Sequence, residues 1–148
     1  MNSKEFKNVF GEVAKTIRFE SAFGGWFKES SESIIVLDLQ KSHFGDYYEM
    51  NIKVYIQGMF GNHYTRNKDL VKKNIGNVFR RQPSEYNDVL DFDTYMDDET
   101  RKNRLEKLFV EFIVPFTDKA LSKSGLNTLS ENGEIIFLPA VRKELALL

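Results

Sequence analysis

Residues 33–57 contain two strand-like stretches joined by a polar turn at residues 41–46. In the second stretch, apolar side chains occupy every second position: Tyr48, Met50, Ile52, Val54 and Ile56. The positions between them carry Tyr47, Glu49, Asn51, Lys53, Tyr55 and Gln57. Because successive side chains of a strand point to opposite faces of a sheet, this period of two predicts a long hairpin with one buried and one solvated face.

The chain is long enough to bury the apolar face of such a hairpin. It has 148 residues, of which 41% are hydrophobic and 14% aromatic, and we expect one domain spanning residues 1–148. Its formal net charge of -1 provides no global field that would attract nucleic acid or an anionic membrane. The absence of cysteine excludes disulfides, thiolate nucleophiles and cysteine-based metal sites.

The location of the protein is predicted from what its sequence lacks. The first residues do not contain the apolar core of a signal peptide. No run approaches the roughly 20 apolar residues that a membrane helix needs. These features predict a cytoplasmic protein without a membrane partner.

The first half of the chain contains further helix and strand patterns. Apolar residues at helical spacing predict an amphipathic helix over residues 3–18, which Asn2 or Ser3 can cap. Alternation and aromatic content predict strands near residues 22–29, 33–40 and 47–57, with the helix covering their apolar face. A brief helix near residues 67–73 and two short strands at residues 78–82 and 89–92 complete this half.

The second half is dominated by an apolar stripe at helical spacing: Leu105, Leu108, Phe109, Phe112, Ile113, Phe116, Ala120 and Leu121. This stripe predicts a long helix that ends near Gly125 and is kinked at Pro115, because proline removes a backbone donor. Residues 135–138 are compatible with a strand or a packed coil, and residues 139–148 with a short helix. The predicted fold is therefore α+β, an antiparallel sheet of about five strands with the N-terminal helix and the long kinked helix on one face.

The end of the first long strand carries a short family signature. The run from Leu37 to Ser42, Leu-Asp-Leu-Gln-Lys-Ser, is followed by an aromatic-rich strand with Asn51-Ile52. This pattern, over roughly the first third of the chain, resembles a bacterial family known as a domain of unknown function, family 4304. The order of helix, aromatic strand and long second strand is also similar. No activity is assigned to that family, so the resemblance implies no catalytic residue.

The polar side of the hairpin holds the candidate catalytic residues. Asp38 should share a face with Glu49 and Lys53 of the next strand. An Asp on one strand and an acidic-x-Lys pattern on the next is similar to the arrangement of metal-dependent nucleases, in which carboxylates hold Mg²⁺. Here Asn51 stands two residues before Lys53, and an amide is a weaker metal ligand than a carboxylate. The alternative interpretation is a solvated sheet face with polar cross-strand pairs.

Two surfaces are candidate binding sites. The first is an acidic run that includes Asp91, Asp93, Asp97 and Asp98. It does not fit a calcium-binding EF-hand, because Met96 and Lys102 occupy positions that require Gly and Glu. Part of the run is explained by favourable acidic charge at a helix start. The second surface is the polar sheet face, with Gln40, Asn51 and Tyr55.

The sequence favours an interaction module over an enzyme. The sequence contains strong patterns of apolar residues that predict a buried core. It contains no recognisable set of catalytic residues, cofactor motif or metal site. The basic cluster that includes Lys72, Lys73, Arg80 and Arg81 is modest, and we expect no nucleic-acid partner. We therefore expect a non-catalytic protein-binding domain whose partner has a basic surface. A metal-dependent nuclease is the alternative, and the sequence leaves the oligomeric state open.

Overall fold

A five-stranded antiparallel sheet forms the centre of the computed structural model, which describes residues 1–148. The strands are adjacent in chain order: β1 Glu20–Ala22, β2 Gly25–Glu29, β3 Ser33–Lys41, β4 Tyr48–Ile56 and β5 Val78–Arg81. The helices are α1 Ser3–Thr16, α2 Lys68–Lys72, α3 Asp98–Leu108, α4 Val114–Ala120, α5 Lys123–Glu131 and α6 Pro139–Leu145. Short 3₁₀ helices cover Met59–Gly61 and Ser84–Leu90, and a π-helical segment covers Phe109–Ile113. The predicted α+β class and five-stranded antiparallel sheet are confirmed.

The predicted hairpin is the centre of the sheet. Strands β3 and β4 pair along their full length, from Ser33 opposite Ile56 to Lys41 opposite Tyr48. Directly opposed residues of an antiparallel pair share a face. The even-numbered residues of β4 are therefore on the face that packs against the helices, as the alternation predicts.

The main core lies between this face and helices α1 and α3–α6. Phe6 and Phe10 of α1 are fully buried there, together with Ile52 of β4 and Leu105 and Leu108 of α3. Asn2 caps α1 by accepting a hydrogen bond from the backbone N–H of Glu5 at 2.8 Å. The prediction that both helical regions cover one face of the sheet is confirmed. None of the helices combines the length and apolar character needed to span a bilayer.

The opposite face of the sheet is covered in part, and the prediction that it is solvated is wrong for most of β4. The segment after β4 returns across this face and places α2 over it. A second, smaller core results: Phe27, Ile34, Val36, Tyr55, Leu70 and Val71. Asn51 and Lys53 are also buried on this face.

Two predicted strands differ in the structure. The predicted strand at residues 22–29 is a hairpin of β1 and β2, with its turn at Phe23 and Gly24, whose φ angles are 54° and 81°. Glycine adopts such positive angles readily, so Gly24 permits this tight turn. Residues 89–92 do not add a strand, because Ser84–Leu90 is a 3₁₀ helix and only an isolated bridge joins Tyr47 to Asp91. The fifth strand is supplied by the hairpin instead.

The predicted long helix is interrupted near Pro115, as expected. The interruption takes the form of the π-helical segment Phe109–Ile113, after which α4 begins with Pro115 in its first turn. Proline in the first turn of a helix needs no backbone donor. Just before it, the N–H of Val114 donates to the carbonyl oxygen of Phe109, five residues earlier, which is the hydrogen-bond spacing of a π-helix.

The predicted end of this helix at Gly125 is wrong. The helix ends at Ala120, and Gly125 lies inside α5, whose cap is Ser122. A Cβ atom at position 125 would lie 1.9 Å from the Lys119 carbonyl oxygen, so glycine is required for the close approach of α4 and α5.

Candidate functional site

An open hollow lies on the second face of the sheet, next to the part that α2 covers. Its cavity volume is about 570 Å³. Asp38, Asn51 and Lys53 form its buried floor, and Lys72 and Arg81 stand on its exposed rim. We call this site the basic hollow.

Asn51 joins the strands that form the floor. Its Nδ2 donates to Gln40 Oε1 at 3.0 Å and to Asp38 Oδ2 at 3.4 Å. Its Oδ1 accepts a hydrogen bond from Arg81 Nε at 3.2 Å. The amide therefore links β3, β4 and β5 through side chains, in addition to their backbone pairing.

Lys53 is a buried cation at the centre of the floor, with only 5% of its surface exposed. Its ammonium donates one hydrogen bond, to the Val71 carbonyl oxygen at 2.5 Å, and forms no ion pair. Burial lowers the pKa of Lys53. The Asp38 carboxylate acts in the opposite direction, and the positive charge of Lys72 adds to the lowering.

The charge around the hollow is strongly positive. Six cationic residues line it, against the single carboxylate of Asp38: Lys7, Lys41, Lys53, Lys72, Lys73 and Arg81. Of these, only Lys41 is in an ion pair, with Asp46. A local anion-attracting site therefore exists on a chain whose net charge is -1.

An aromatic ring stands beside these charges. Phe79 of β5 lies opposite Lys53 and therefore on the same face, with 39% of its surface exposed. The guanidinium carbon of Arg81 is 5.8 Å from the centre of the Phe79 ring. The hollow thus offers an apolar surface next to cationic groups.

The three predicted catalytic candidates are not brought together. Asp38 and Lys53 line the basic hollow, but Glu49 does not. Glu49 lies opposite Gln40, and its Oε2 accepts a hydrogen bond from Gln82 Nε2 at 3.0 Å. No group of three or more His, Cys, Asp or Glu side chains is placed to hold a metal ion.

Of the predicted binding residues on the sheet, Tyr55 is placed differently from Gln40 and Asn51. Its side chain is buried beneath α2, and its hydroxyl donates to the carbonyl oxygens of Leu70 at 2.7 Å and Asn74 at 3.2 Å. Burial raises the pKa of Tyr55. This side chain holds α2 against the sheet and does not reach the surface.

The predicted acidic residues lie in and beside two adjoining loops, residues 42–47 and 91–97. Asp93 Oδ2 accepts a hydrogen bond from the backbone N–H of Asp46 at 3.0 Å, and the N–H of Phe92 donates to the Asp46 carbonyl oxygen at 2.7 Å. Each loop also carries an almost fully exposed aromatic ring, Phe44 at 95% and Tyr95 at 90%. We call this region the acidic loop surface.

Several of these carboxylates also have local structural roles. Asp97 caps α3 by accepting from the N–H and hydroxyl of Thr100 at 2.8 and 2.9 Å, and these hydrogen bonds lower the pKa of Asp97. Asp98 pairs with the N-terminal amino group, and Asp91 Oδ1 accepts from the N–H of Asp93. The prediction that part of the run serves the helix start is confirmed. Asp91, Asp93 and Asp97 form no ion pair.

Arg101 has a structural role that the sequence patterns did not predict. It is buried, and its Nη1 donates to the carbonyl oxygens of Val89 at 2.7 Å and Asp91 at 2.9 Å. Its guanidinium carbon lies 4.2 Å from the centre of the Phe92 ring. One feature of the sequence does indicate that Arg101 is buried: it lies four residues before Leu105, on the side of the helix that carries the apolar stripe. Arg101 thereby fixes the base of the acidic loop surface.

Most of the chain matches one known protein family. The family described as Domain of unknown function (DUF4304) matches residues 12–119, well beyond the first third in which the signature occurs. No curated protein and no solved structure matches the chain. Because the family match covers more than half of the sequence, the protein belongs to the DUF4304 family.

Proposed function

We propose that this protein is a non-catalytic interaction module that docks a partner protein with a basic surface. The observation that carries the proposal is the acidic loop surface, where Phe44 and Tyr95 are almost fully exposed beside carboxylates that form no ion pair. Aromatic residues dominate the binding energy of many protein interfaces, and complementary charge increases the association rate.

The loops that carry these groups are joined to each other and to α3 by hydrogen bonds. Hydrogen bonds join Asp46 to Asp93 and to Phe92, and Arg101 holds the carbonyl oxygens beneath them. A preorganised surface loses less conformational entropy when a partner binds. This arrangement supports docking without a large rearrangement of the loops.

The test is capture of binding proteins from the source cell with wild-type and variant protein. A Phe44→Ala, Tyr95→Ala double variant removes the two rings. Asp91→Asn with Asp93→Asn removes the two negative charges and leaves each side chain one oxygen that can still accept the backbone N–H it binds. A matched control, Glu106→Gln with Glu131→Gln, removes the same charge from exposed helical positions elsewhere. We expect one basic protein to be lost with both loop variants and retained by the control. Retention of every captured protein by both loop variants would contradict the proposal.

A metal-dependent nuclease is the second candidate, because Asp38 and Lys53 lie together in the basic hollow. The assay is incubation of the protein with plasmid DNA or RNA and Mg²⁺ or Mn²⁺, with Lys53→Ala as the comparison. Lys143→Ala, on an exposed part of α6, is the matched control. Cleavage by the wild type and the control that disappears in Lys53→Ala would overturn the non-catalytic proposal.

A further inference from the structure

We propose that the basic hollow binds a small molecule that carries a phosphate monoester, with the phosphate between Lys53 and Arg81 and its apolar part against Phe79. This site uses residues other than those of the acidic loop surface, so it goes beyond the docking function proposed above.

The first argument is the buried ammonium of Lys53, which forms no ion pair. A lysine ammonium has three N–H donors, and Lys53 uses one of them, toward the Val71 carbonyl oxygen. Buried charges are normally paired and buried donors normally bonded. An anion bound in the hollow would accept hydrogen bonds from the other two donors and form the ion pair that Lys53 does not form within the chain.

The second argument is the number of positive charges. Apart from Lys41, which pairs with Asp46, five cationic residues of the hollow have no ion-pair partner, and Asp38 is the only carboxylate there. A phosphate monoester carries about 1.5 to 2 negative charges at pH 7 and three strong acceptor oxygens. It therefore neutralises this surplus better than a single carboxylate does.

The third argument is the placement of the remaining donors and of the aromatic ring. Arg81 uses Nε to bind Asn51, which leaves its two terminal nitrogens for a ligand. Two parallel N–H groups of arginine fit phosphate oxygens well. Phe79, on the same face, presents an exposed ring on which a planar group can stack.

The size and shape of the site favour a small molecule over a polymer. A cavity of about 570 Å³ is within the usual range of small-molecule sites. A polymer of nucleic acid is normally bound along an extended basic stripe, whereas these cations converge on one hollow in a chain of net charge -1.

The test is calorimetric titration of the full chain with adenosine monophosphate, inorganic phosphate and adenosine. We expect saturable binding of adenosine monophosphate, competition by inorganic phosphate, and binding of neutral adenosine weaker by at least about tenfold. Removal of one charge-assisted hydrogen bond typically has an effect of that size. Absence of binding by both adenosine monophosphate and inorganic phosphate up to 10 mM would overturn the proposal.

Variants of the site separate specific binding from general attraction of anions. Lys53→Met and Arg81→Gln should each weaken binding of adenosine monophosphate by about tenfold or more. Lys143→Gln, on an exposed part of α6, removes the same charge and should leave the affinity unchanged. If Lys53→Met fails to fold, Lys72→Gln on the exposed rim replaces it, with a smaller expected loss.

Two results would contradict the proposal even if binding occurs. One is an affinity for adenosine monophosphate that is unchanged in both Arg81→Gln and Lys72→Gln. The other is binding of a single-stranded oligonucleotide with no binding of the mononucleotide, which would assign the hollow to a polymer. Because Phe44, Tyr95, Asp91 and Asp93 do not line the hollow, the docking variants should bind adenosine monophosphate normally. The titration with adenosine monophosphate therefore tests the basic hollow, and the capture of partner proteins tests the acidic loop surface, so either proposal can fail without the other.

Discussion

Asn51 of β4 lies directly opposite Asp38 of β3, with Asn51 Nδ2 3.4 Å from Asp38 Oδ2. A metal-dependent nuclease of the type considered above would place a carboxylate at this position to share the metal. The amide instead binds Asp38, Gln40 and Arg81, and it has no negative charge with which to hold a cation. This pair therefore favours a polar binding floor over a two-carboxylate metal site.

Replacement of core residues on the helix-covered face should destabilise the protein strongly. Ile52 and Phe112 are both buried in the main core, so Ile52→Ala and Phe112→Ala should each lower the free energy of unfolding by about 2 to 5 kcal/mol. Chemical denaturation measures this change. Val110→Ala, at an exposed position of the same π-helical segment, should change it by less than about 0.5 kcal/mol. An unchanged unfolding transition for Ile52→Ala or Phe112→Ala would show that the residue is not in the core.

Loss of the Arg101 guanidinium should loosen the acidic loop surface. In Arg101→Met the carbonyl oxygens of Val89 and Asp91 lose their donor, which should cost about 1 to 3 kcal/mol of unfolding free energy. Faster amide hydrogen exchange should accompany this loss at residues 88–92. Lys102→Met, at the exposed neighbouring position, is the control. Equal exchange rates in both variants would reject this role for Arg101.

The buried Lys53 should make stability depend on pH in the alkaline range. Its folded-state pKa is lowered below the ordinary value of 10.5, so the unfolded chain binds more protons between those two values. The free energy of unfolding of the wild type should therefore rise, relative to that of Lys53→Met, as the pH increases through this window toward 10.5. Asp38 and Lys72, the charged groups that act on Lys53, are present in both proteins. The measurement is denaturant unfolding of the two proteins between pH 7 and 10.5, and a constant difference would contradict the prediction.

A basic partner should associate with the acidic loop surface at a rate that depends on salt. Exposed charges are screened over about 8 to 10 Å at physiological ionic strength, and over about 3 Å at 1 M. The association rate measured by stopped flow should fall as salt is added, and it should fall for Asp91→Asn with Asp93→Asn at low salt. The Glu106→Gln, Glu131→Gln control should associate at the wild-type rate. An association rate that changes neither with salt nor with the loop substitutions would show that these carboxylates do not steer the partner.

The patterns that are local in sequence predicted much of the fold. The period of two in β4 determined which side chains face the helices, because strand geometry relates neighbours directly. The apolar stripe located the helical region of the second half, and Pro115 located its interruption, because both depend on residues a few positions apart. The same local information placed Asp38 and Gln40 on one face with Asn51 and Lys53.

The tertiary structure decided the rest, because burial depends on which distant segment covers a surface. The alternation in β4 could not reveal that residues 62–77 return over its polar face, bury Tyr55 and Lys53, and bring Lys72 to the rim of the hollow. The pairing of β5 with β4, which places Phe79 opposite Lys53 and Arg81 opposite Asn51, is likewise a long-range contact. A period of two in the sequence identifies which side chains share a face of a strand. Only the packing of remote segments determines whether that face is buried and which functional groups lie together on it.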